Sequence, residues 1–195
     1  ACRGEDGKPV PNVVNVIPPE GVTLDLERFR RDFLSGSSCG LCGKTSIDQV
    51  RRRLDPVADP LRVSLALLLA LPERMRAAQP VFLRTGAVHA AALFDGEGKL
   101  LLAREDVGRH NAVDRVIGRM VMEERVPLAG HLLAVSGRIS FEIVQKALAA
   151  RIPVVAAVSG ASSLAIELAE AGGLTLAGFV RGDSCNVYCG KERLA

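Results

Sequence analysis

The sequence has no tryptophan, one tyrosine and only 4% aromatic residues in a chain of 195. A surface that holds single-stranded nucleic acid by stacking bases on rings has almost nothing to be built from. An excess of one charge is also missing. Lys and Arg number 25 against 22 Asp and Glu, a net +3, too little to predict binding along a nucleic-acid backbone, though smaller anionic ligands stay open. The longest nearly unbroken apolar stretch, residues 63–71, stops at Pro72 and falls well short of the roughly 18 residues of a membrane-crossing helix. No Walker loop and no G-x-G-x-x-G is present, which excludes the ordinary nucleotide fingerprints. The chain opens Ala-Cys-Arg-Gly-Glu-Asp, without an initiator Met or the basic-then-apolar pattern of a signal peptide, so further chain is expected upstream.

What the sequence does have is a composition of 48% hydrophobic and 24% charged residues, that of one globular domain with a real core. Five cysteines is an odd number in a chain too long and too apolar to need disulfide staples, so a reducing, cytoplasmic compartment fits better than secretion. Residues 1–11 read as a loop, residues 13–17 as a strand ended by Pro18 and Pro19, and Ser46 with Gln49 as a capping box opening a helix through Leu54. Residues 60–79 read as helical, with Pro72 placed as the first residue of a new segment. Beyond Val88, the pattern predicts strands over 89–94 and 100–103 joined by a Gly-rich hairpin, then a helix over 107–123. An apolar run at 131–135, a helix over 141–150, a run at 154–158, a helix over 162–171 and a last strand over 174–180 follow. Short apolar strands alternating with helices predict an α/β fold with a central sheet covered by helices.

Five features carry chemistry. Cys39-Gly-Leu-Cys42 sits in a Ser/Gly-rich loop ahead of the predicted helix, with Lys44 beside it, a setting that lowers a thiol pKa. Such a pair can carry sulfur, cycle redox states or bind metal. Two small apolar fillers would be the bland alternative, but fillers belong on core faces. Cys185 and Cys189 offer a second pair, so a structural four-cysteine zinc module competes, with imperfect spacing and Cys2 left over. The second feature, residues 104–111 followed by Asp114, gathers Arg104, Glu105, Asp106, Arg109, His110 and Asn111 between a predicted strand and helix. A solvated charge run or helix capping is the plain reading; ligand binding at the carboxyl edge of a sheet is the functional one. The last three features share one design. Ser136-Gly-Arg138-Ile-Ser140 and Ser159-Gly-Ala-Ser-Ser163 follow successive strands, and Arg181-Gly182-Asp183-Ser184 follows the last. Backbone N–H groups and Arg side chains at such junctions suit a large anionic ligand.

These motifs, with Thr85-Gly-Ala-Val-His89 and Gly178-Phe179-Val180-Arg181-Gly182-Asp183, resemble the FdhD family of formate dehydrogenase accessory sulfurtransferases from about Val13 to the C-terminus. The resemblance implies a cytidine deaminase-like three-layer fold with a mixed central sheet, residues 35–195, preceded by the remnant of a smaller domain, residues 1–34. It implies an enzyme of the sulfurtransferase class. A cysteine desulfurase would load a persulfide on Cys39, assisted by Cys42. The sulfur would then pass to the bis(molybdopterin guanine dinucleotide) molybdenum cofactor, Mo-bisMGD, before that cofactor enters formate dehydrogenase. The cofactor-contacting segment would fall on Phe179, Val180, Arg181, Gly182, Asp183 and Ser184, with Arg109, His110, Asn111, Ser136 and Arg138 as further contacts, and GDP or GMP as a fragment mimic. A homodimer is implied, with no protein-bound metal, nucleic acid or membrane. His89 is followed by Ala90 and Ala91, so the His-x-Glu of a zinc deaminase is absent and hydrolytic deamination is not expected. The remaining alternative is a cofactor-binding chaperone that never touches sulfur.

Overall fold

The computed structural model describes residues 18–23 and 55–195. The chain divides into two compact units, Ala1–Ser38 and Cys39–Ala195. In the first, the described residues form a turn in which Val22 N–H donates to the Pro19 carbonyl at 3.1 Å and Gly21 takes the φ of +85° that the turn requires. The expected strand over 13–17, the helix from Ser46, the Cys39–Cys42 loop and the domain division after residue 34 lie outside the described residues.

The second unit is an α/β sandwich. Its elements are α1 (Leu65–Ala77), α2 (Pro80–Thr85), β1 (His89–Phe94), β2 (Leu100–Asp106), α3 (Arg109–Met122) and β3 (Leu132–Val135), followed by α4 (Phe141–Ala149), β4 (Val154–Ala157), α5 (Ser163–Ala171), β5 (Thr175–Arg181) and β6 (Ser184–Cys189). One six-stranded mixed sheet runs in the order β2-β1-β3-β4-β5-β6, parallel across β3–β4–β5 and antiparallel elsewhere. Its side chains alternate between two cores. Ala91, Leu93, Leu133, Val135, Val155 and Leu176 pack under α3, α4 and α5. Ala90, Ala92, Phe94, Leu132, Ala134, Val154 and Ala177 pack against Leu68, Leu71 and Met75 of α1. Burial on both faces explains why the central strands read as unbroken apolar runs. The three-layer mixed-sheet architecture is the expected one, and among the described residues no helix is long and apolar enough to cross a membrane.

Three expectations are corrected. Pro72 lies inside α1 rather than opening a segment. Leu68 and Leu71 before it and Met75 after it are all buried against the sheet. Each contributes on the order of 1.5–3 kcal/mol, which together outweighs the roughly 3 kcal/mol a mid-helix proline costs. The proline that does start a helix is Pro80, at the first position of α2. Second, β2 continues to Asp106 because Arg104, Glu105 and Asp106 stay in register with Ala91, Ala90 and His89, so these charges belong to an edge strand and not to a loop. Third, β5 is not the last strand. Gly182 and Asp183 form a two-residue turn, with Gly182 at φ +57°, that folds β6 back on β5.

Candidate functional site

Strands β2, β3, β4 and β5 end at one edge of the sheet, where β1 begins: His89 pairs with Asp106, and Ser136 N–H donates to the Ala90 carbonyl at 3.0 Å. The loops after β3 and β4 are zipped to each other there, Ile139 N–H to the Gly160 carbonyl at 3.0 Å and Ser162 N–H to the Ile139 carbonyl at 3.1 Å. Between this edge and α1 opens a cavity of about 970 Å³, lined by Leu69, Met75, Arg76, Gln79, Phe82, His89, Val107, Ser136, Val180, Arg181 and Gly182 among others. It is apolar walled with a few polar groups, the build of a small-molecule site.

At the rim, two arginines are held by aromatic faces. The Arg76 guanidinium lies 5.9 Å from the centre of the Phe82 ring and that of Arg181 lies 5.8 Å from the centre of Phe179. Arg181 Nε also donates to the Val158 carbonyl at 2.9 Å, which leaves its two terminal nitrogens to face a ligand. Phe179 takes a φ of +51° and remains 43% exposed, a conformation costly for a bulky residue and a frequent mark of functional sites. Its ring rests on Gly160, where an added Cβ would come within 2.8 Å of Cζ. One carbonyl, that of Ser159, accepts Phe179 N–H at 3.1 Å and holds the bulge in β5.

Behind the cavity stands His89. The Ser136 hydroxyl oxygen accepts Ala90 N–H at 2.8 Å and lies 3.4 Å from His89 Nδ1. Gly137 backs the ring; a Cβ there would lie 3.2 Å from His89 Nδ1 and 3.4 Å from Arg109 Cδ.

Of the sequence-predicted site residues, Ser136, Val180, Arg181 and Gly182 line this cavity. Asp183 and Ser184 line a separate groove of about 870 Å³ along β6. Arg109, His110 and Asn111 form the first turn of α3, where His110 and Asn111 are hydrogen-bonded to other side chains of the protein. Asp106 accepts from Gly108 N–H at 2.9 Å and from Asn111 Nδ2 at 3.1 Å. The Gly108 backbone bond, with help from Asn111 and Arg115, holds the Asp106 carboxyl below the usual range. His110 Nε2 is 2.7 Å from the Ser140 hydroxyl at the start of α4 and 3.2 Å from Glu142 Oε2. Burial pushes its pKa down, outweighing the upward pull of Glu142. Among the described residues Arg109 Nε is buried without a hydrogen-bond partner, and Arg138 is exposed. Cys185 packs with the α1 core and Cys189 with the core on the opposite face of the sheet, so the two thiols do not converge as a zinc pair requires. Among the described residues no cluster of three or more His, Cys, Asp or Glu side chains could hold a metal. Burial pushes the Cys189 thiol up to about 11, and it donates to the Leu174 carbonyl at 3.3 Å.

Sequence reasoning passed over Arg76, Gln79, Phe82 and the part played by Glu105. The Glu105 carboxylate accepts Val81 N–H at 3.0 Å and Phe82 N–H at 2.7 Å, capping α2 from across the sheet edge and fixing Phe82 in the cavity wall. The available cue was Pro80, a helix start with no capping side chain beside it.

The comparisons with known proteins agree with this architecture. The chain is 53% identical over 199 residues to the sulfur carrier protein FdhD of Streptomyces coelicolor, covering 100% of this chain and 71% of that protein. It is 51% identical over 185 residues to the protein of that name from Mycobacterium tuberculosis, covering 94% and 67%. Its fold matches a solved chain assigned as a formate dehydrogenase accessory protein of Desulfotalea psychrophila, at 28% identity and a TM-score of 0.68, covering 75% of this chain and 62% of that one. The model of the FdhD/NarQ family matches residues 6–195, and the chain belongs to that family.

Proposed function

We propose that the protein is a sulfurtransferase that carries sulfur on Cys39 and delivers it to the molybdenum of Mo-bisMGD, its bound substrate, for use by a formate dehydrogenase. The observation that carries the reading is the cavity of about 970 Å³ at the strand ends, with Arg76 and Arg181 at its rim and Val180 and Gly182 in its wall. Two stacked guanidinium groups suit the phosphates of a dinucleotide, and the apolar wall suits a flat ring system. The family's sulfur carriers support the transfer chemistry.

In the loading step the Cys39 thiolate attacks the outer sulfur of a cysteine desulfurase persulfide. The desulfurase S–S bond breaks, and its cysteine leaves as thiolate with the electron pair. Delivery as sulfide needs two electrons, and Cys42 supplies them. Its thiolate attacks Cys39 Sγ, the persulfide S–S bond breaks, the outer sulfur departs as sulfide to molybdenum, and a Cys39–Cys42 disulfide remains for a dithiol reductant to reopen. This balance gives the second cysteine a purpose. The Gly- and Ser-rich flanks of the pair suit thiolate access. Ser136 backs His89 in the wall, and cytoplasmic residence follows from the need for reduced thiols. A homodimer is compatible with the sheet, whose two edge strands are β2 and β6.

The test is formate dehydrogenase activity in a bacterial host lacking its own carrier. The wild-type protein restores activity, Cys39→Ala does not, and Arg181→Ala restores less. Full activity with Cys39→Ala would favour a cofactor chaperone and overturn sulfur transfer.

A further inference from the structure

Helices α4 and α5 end alike. After α4 the N–H groups of Arg151 and Ile152 donate to the carbonyls of Leu148 and Ala147, both at 2.9 Å; after α5 those of Gly173 and Leu174 donate to Glu170 and Ala169 at 3.1 and 2.9 Å. The residue that turns the chain is left-handed in both, at φ +63° for Arg151 and +67° for Gly173. Glycine is the usual occupant of this position, because any Cβ there strains the backbone. At one of two equivalent turns, then, the fold keeps an arginine where the backbone favours glycine. Such an outlier points to a use for the side chain.

The Arg151 side chain holds the segment that follows the cysteine pair. Its Nη1 donates to the Asp55 carbonyl at 2.8 Å and its Nη2 to the Pro56 carbonyl at 3.1 Å. Arg193 takes the next carbonyl, with Nη2 donating to Val57 at 3.0 Å, and Val57 N–H donates to the Gly172 carbonyl at 2.8 Å. Arg193 is 6% exposed and among the described residues its Nε is buried without a hydrogen-bond partner. The carboxylate paired with it, that of Glu192, is 4.0 Å away and largely in solvent. Burying a guanidinium in this way is unfavourable. Two arginines in costly settings thus grip three successive carbonyls of one short segment.

That segment meets the fold where β4 and β5 begin, at the edge of the sheet opposite the cavity. β5 runs seven residues between the two edges, about 20 Å. Asp55 follows Cys42 by 13 positions, a tether of at most about 45 Å, so thiols rooted there can reach the strand ends. Without the two arginines the next side-chain anchor is Asp59, whose carboxylate accepts Leu61 N–H at 2.8 Å and Gly130 N–H at 2.7 Å. Moving the root back to Asp59 lengthens the tether by about a third and lowers the local concentration of the thiols at the cavity about twofold.

We infer that Arg151 and Arg193 are positioning residues for sulfur delivery: they root the segment carrying Cys39 and Cys42 at the edge opposite the cavity, and so set how often its thiols reach the strand ends. This rests on Cys39 as the sulfur bearer, and adds which residues fix the base from which it works.

The test compares wild type, Arg151→Gly, Arg151→Lys and Arg193→Met in three measurements. These are thermal melting, persulfide loading of Cys39 by a cysteine desulfurase read by intact mass, and formate dehydrogenase activity in a host lacking its own carrier, with the carrier limiting. Arg151→Gly removes the guanidinium while relaxing the left-handed turn, so its melting should stay close to wild type. It should load sulfur as wild type does and activate the dehydrogenase about twofold less. Arg151→Lys, which has one ammonium for two carbonyls, should activate to a level between the two. Arg193→Met should show the same split between loading and activation; if it does not fold, Arg151→Gly decides alone. Wild-type activation by Arg151→Gly, or a loss of activation that comes only with lost melting or lost loading, overturns the inference and leaves the sulfur-carrier reading standing. A wild type whose Cys39 takes up no sulfur overturns that reading, and this inference with it.

Discussion

Gly178 in β5 and Gly160 in the loop after β4 separate stability from binding. A Cβ at Gly178 would lie 2.7 Å from Tyr188 Cε2 and 3.0 Å from the Ser159 carbonyl oxygen. That carbonyl is backbone and already accepts Phe179 N–H at 3.1 Å, so it cannot retreat without breaking the bulge. Overpacking of this kind costs about 1–3 kcal/mol, and for a chain of this size each kcal/mol lowers Tm by about 2–4 °C. Gly178→Ala should therefore melt roughly 2–12 °C below wild type. At Gly160 the obstacle is different: a Cβ would clash with the far end of the Phe179 ring, at 2.8 Å from Cζ and 3.0 Å from Cε2, and would meet the Tyr188 hydroxyl at an ordinary 3.7 Å. The ring must move by about 1 Å to regain ordinary carbon–carbon contact, and being 43% exposed it has room to do so. Gly160→Ala should cost less than about 1 kcal/mol in stability. The moved ring, however, no longer holds Arg181, whose stacking contact is worth about 0.5–1 kcal/mol at an exposed site. GDP affinity should fall about two- to fivefold. Thermal melting followed by circular dichroism, with calorimetry on the same samples, measures both. Equal melting losses for the two variants, or a Gly160→Ala protein that binds GDP as wild type does, would show that the Phe179 ring does not hold Arg181 for the ligand.

Further outcomes follow from single contacts. Glu105→Ala removes both acceptors from the first turn of α2 and should cost about 1–2 kcal/mol, visible as a lower urea midpoint, whereas Glu105→Gln should keep part of it. His110 has a folded pKa below its unfolded value of 6.5. The unfolded chain therefore takes up the proton first as pH falls, and the stability present above about 6.5 declines through that value toward the folded one. His110→Gln, which keeps a polar partner for Ser140, should flatten that slope in urea titrations between pH 7.5 and about 5; an unchanged slope would show that other groups set it. Cys189, with its thiol pushed up to about 11 and buried, should stay unmodified by iodoacetamide at neutral pH in the native protein while Cys39 reacts first. Peptide mapping after brief labelling reads the order.

Much of the sheet was legible because its central strands are buried on both faces. β1 runs over His89–Phe94 as the apolar run predicts, and α4 begins at Phe141 where the helical spacing begins. β6 was not legible. Ser184, Cys185 and Asn186 carry no alternation that names a strand, and the element exists because β5 offers its free edge after the Gly182–Asp183 turn. Pro72 misled for the same reason: a local rule lost to tertiary burial. In the site, Phe179, Arg181 and Ser136 were visible as Gly- and Arg-bearing strand ends. The polar density from Arg104 to Asp114 also attracted attention, but it is used largely within itself, by Asp106, Gly108 and Asn111, and by Lys146 Nζ donating to Asp114 at 2.7 Å. Gln79 carried no signal. Its place in the cavity wall accompanies a cap supplied from 26 positions away in the sequence, as Glu105 accepts from Val81 and Phe82, and no local pattern records that.

The central claim is that Cys39 bears transferable sulfur. Intact-mass spectrometry of the protein after incubation with a cysteine desulfurase and cysteine tests it most directly. The wild type should gain the mass of one or more sulfur atoms, removable by dithiothreitol, and Cys39→Ala should gain none at that position while Cys42→Ala still loads. Equal sulfur uptake by wild type and Cys39→Ala, or none by either, would rule out Cys39 as the sulfur-bearing residue.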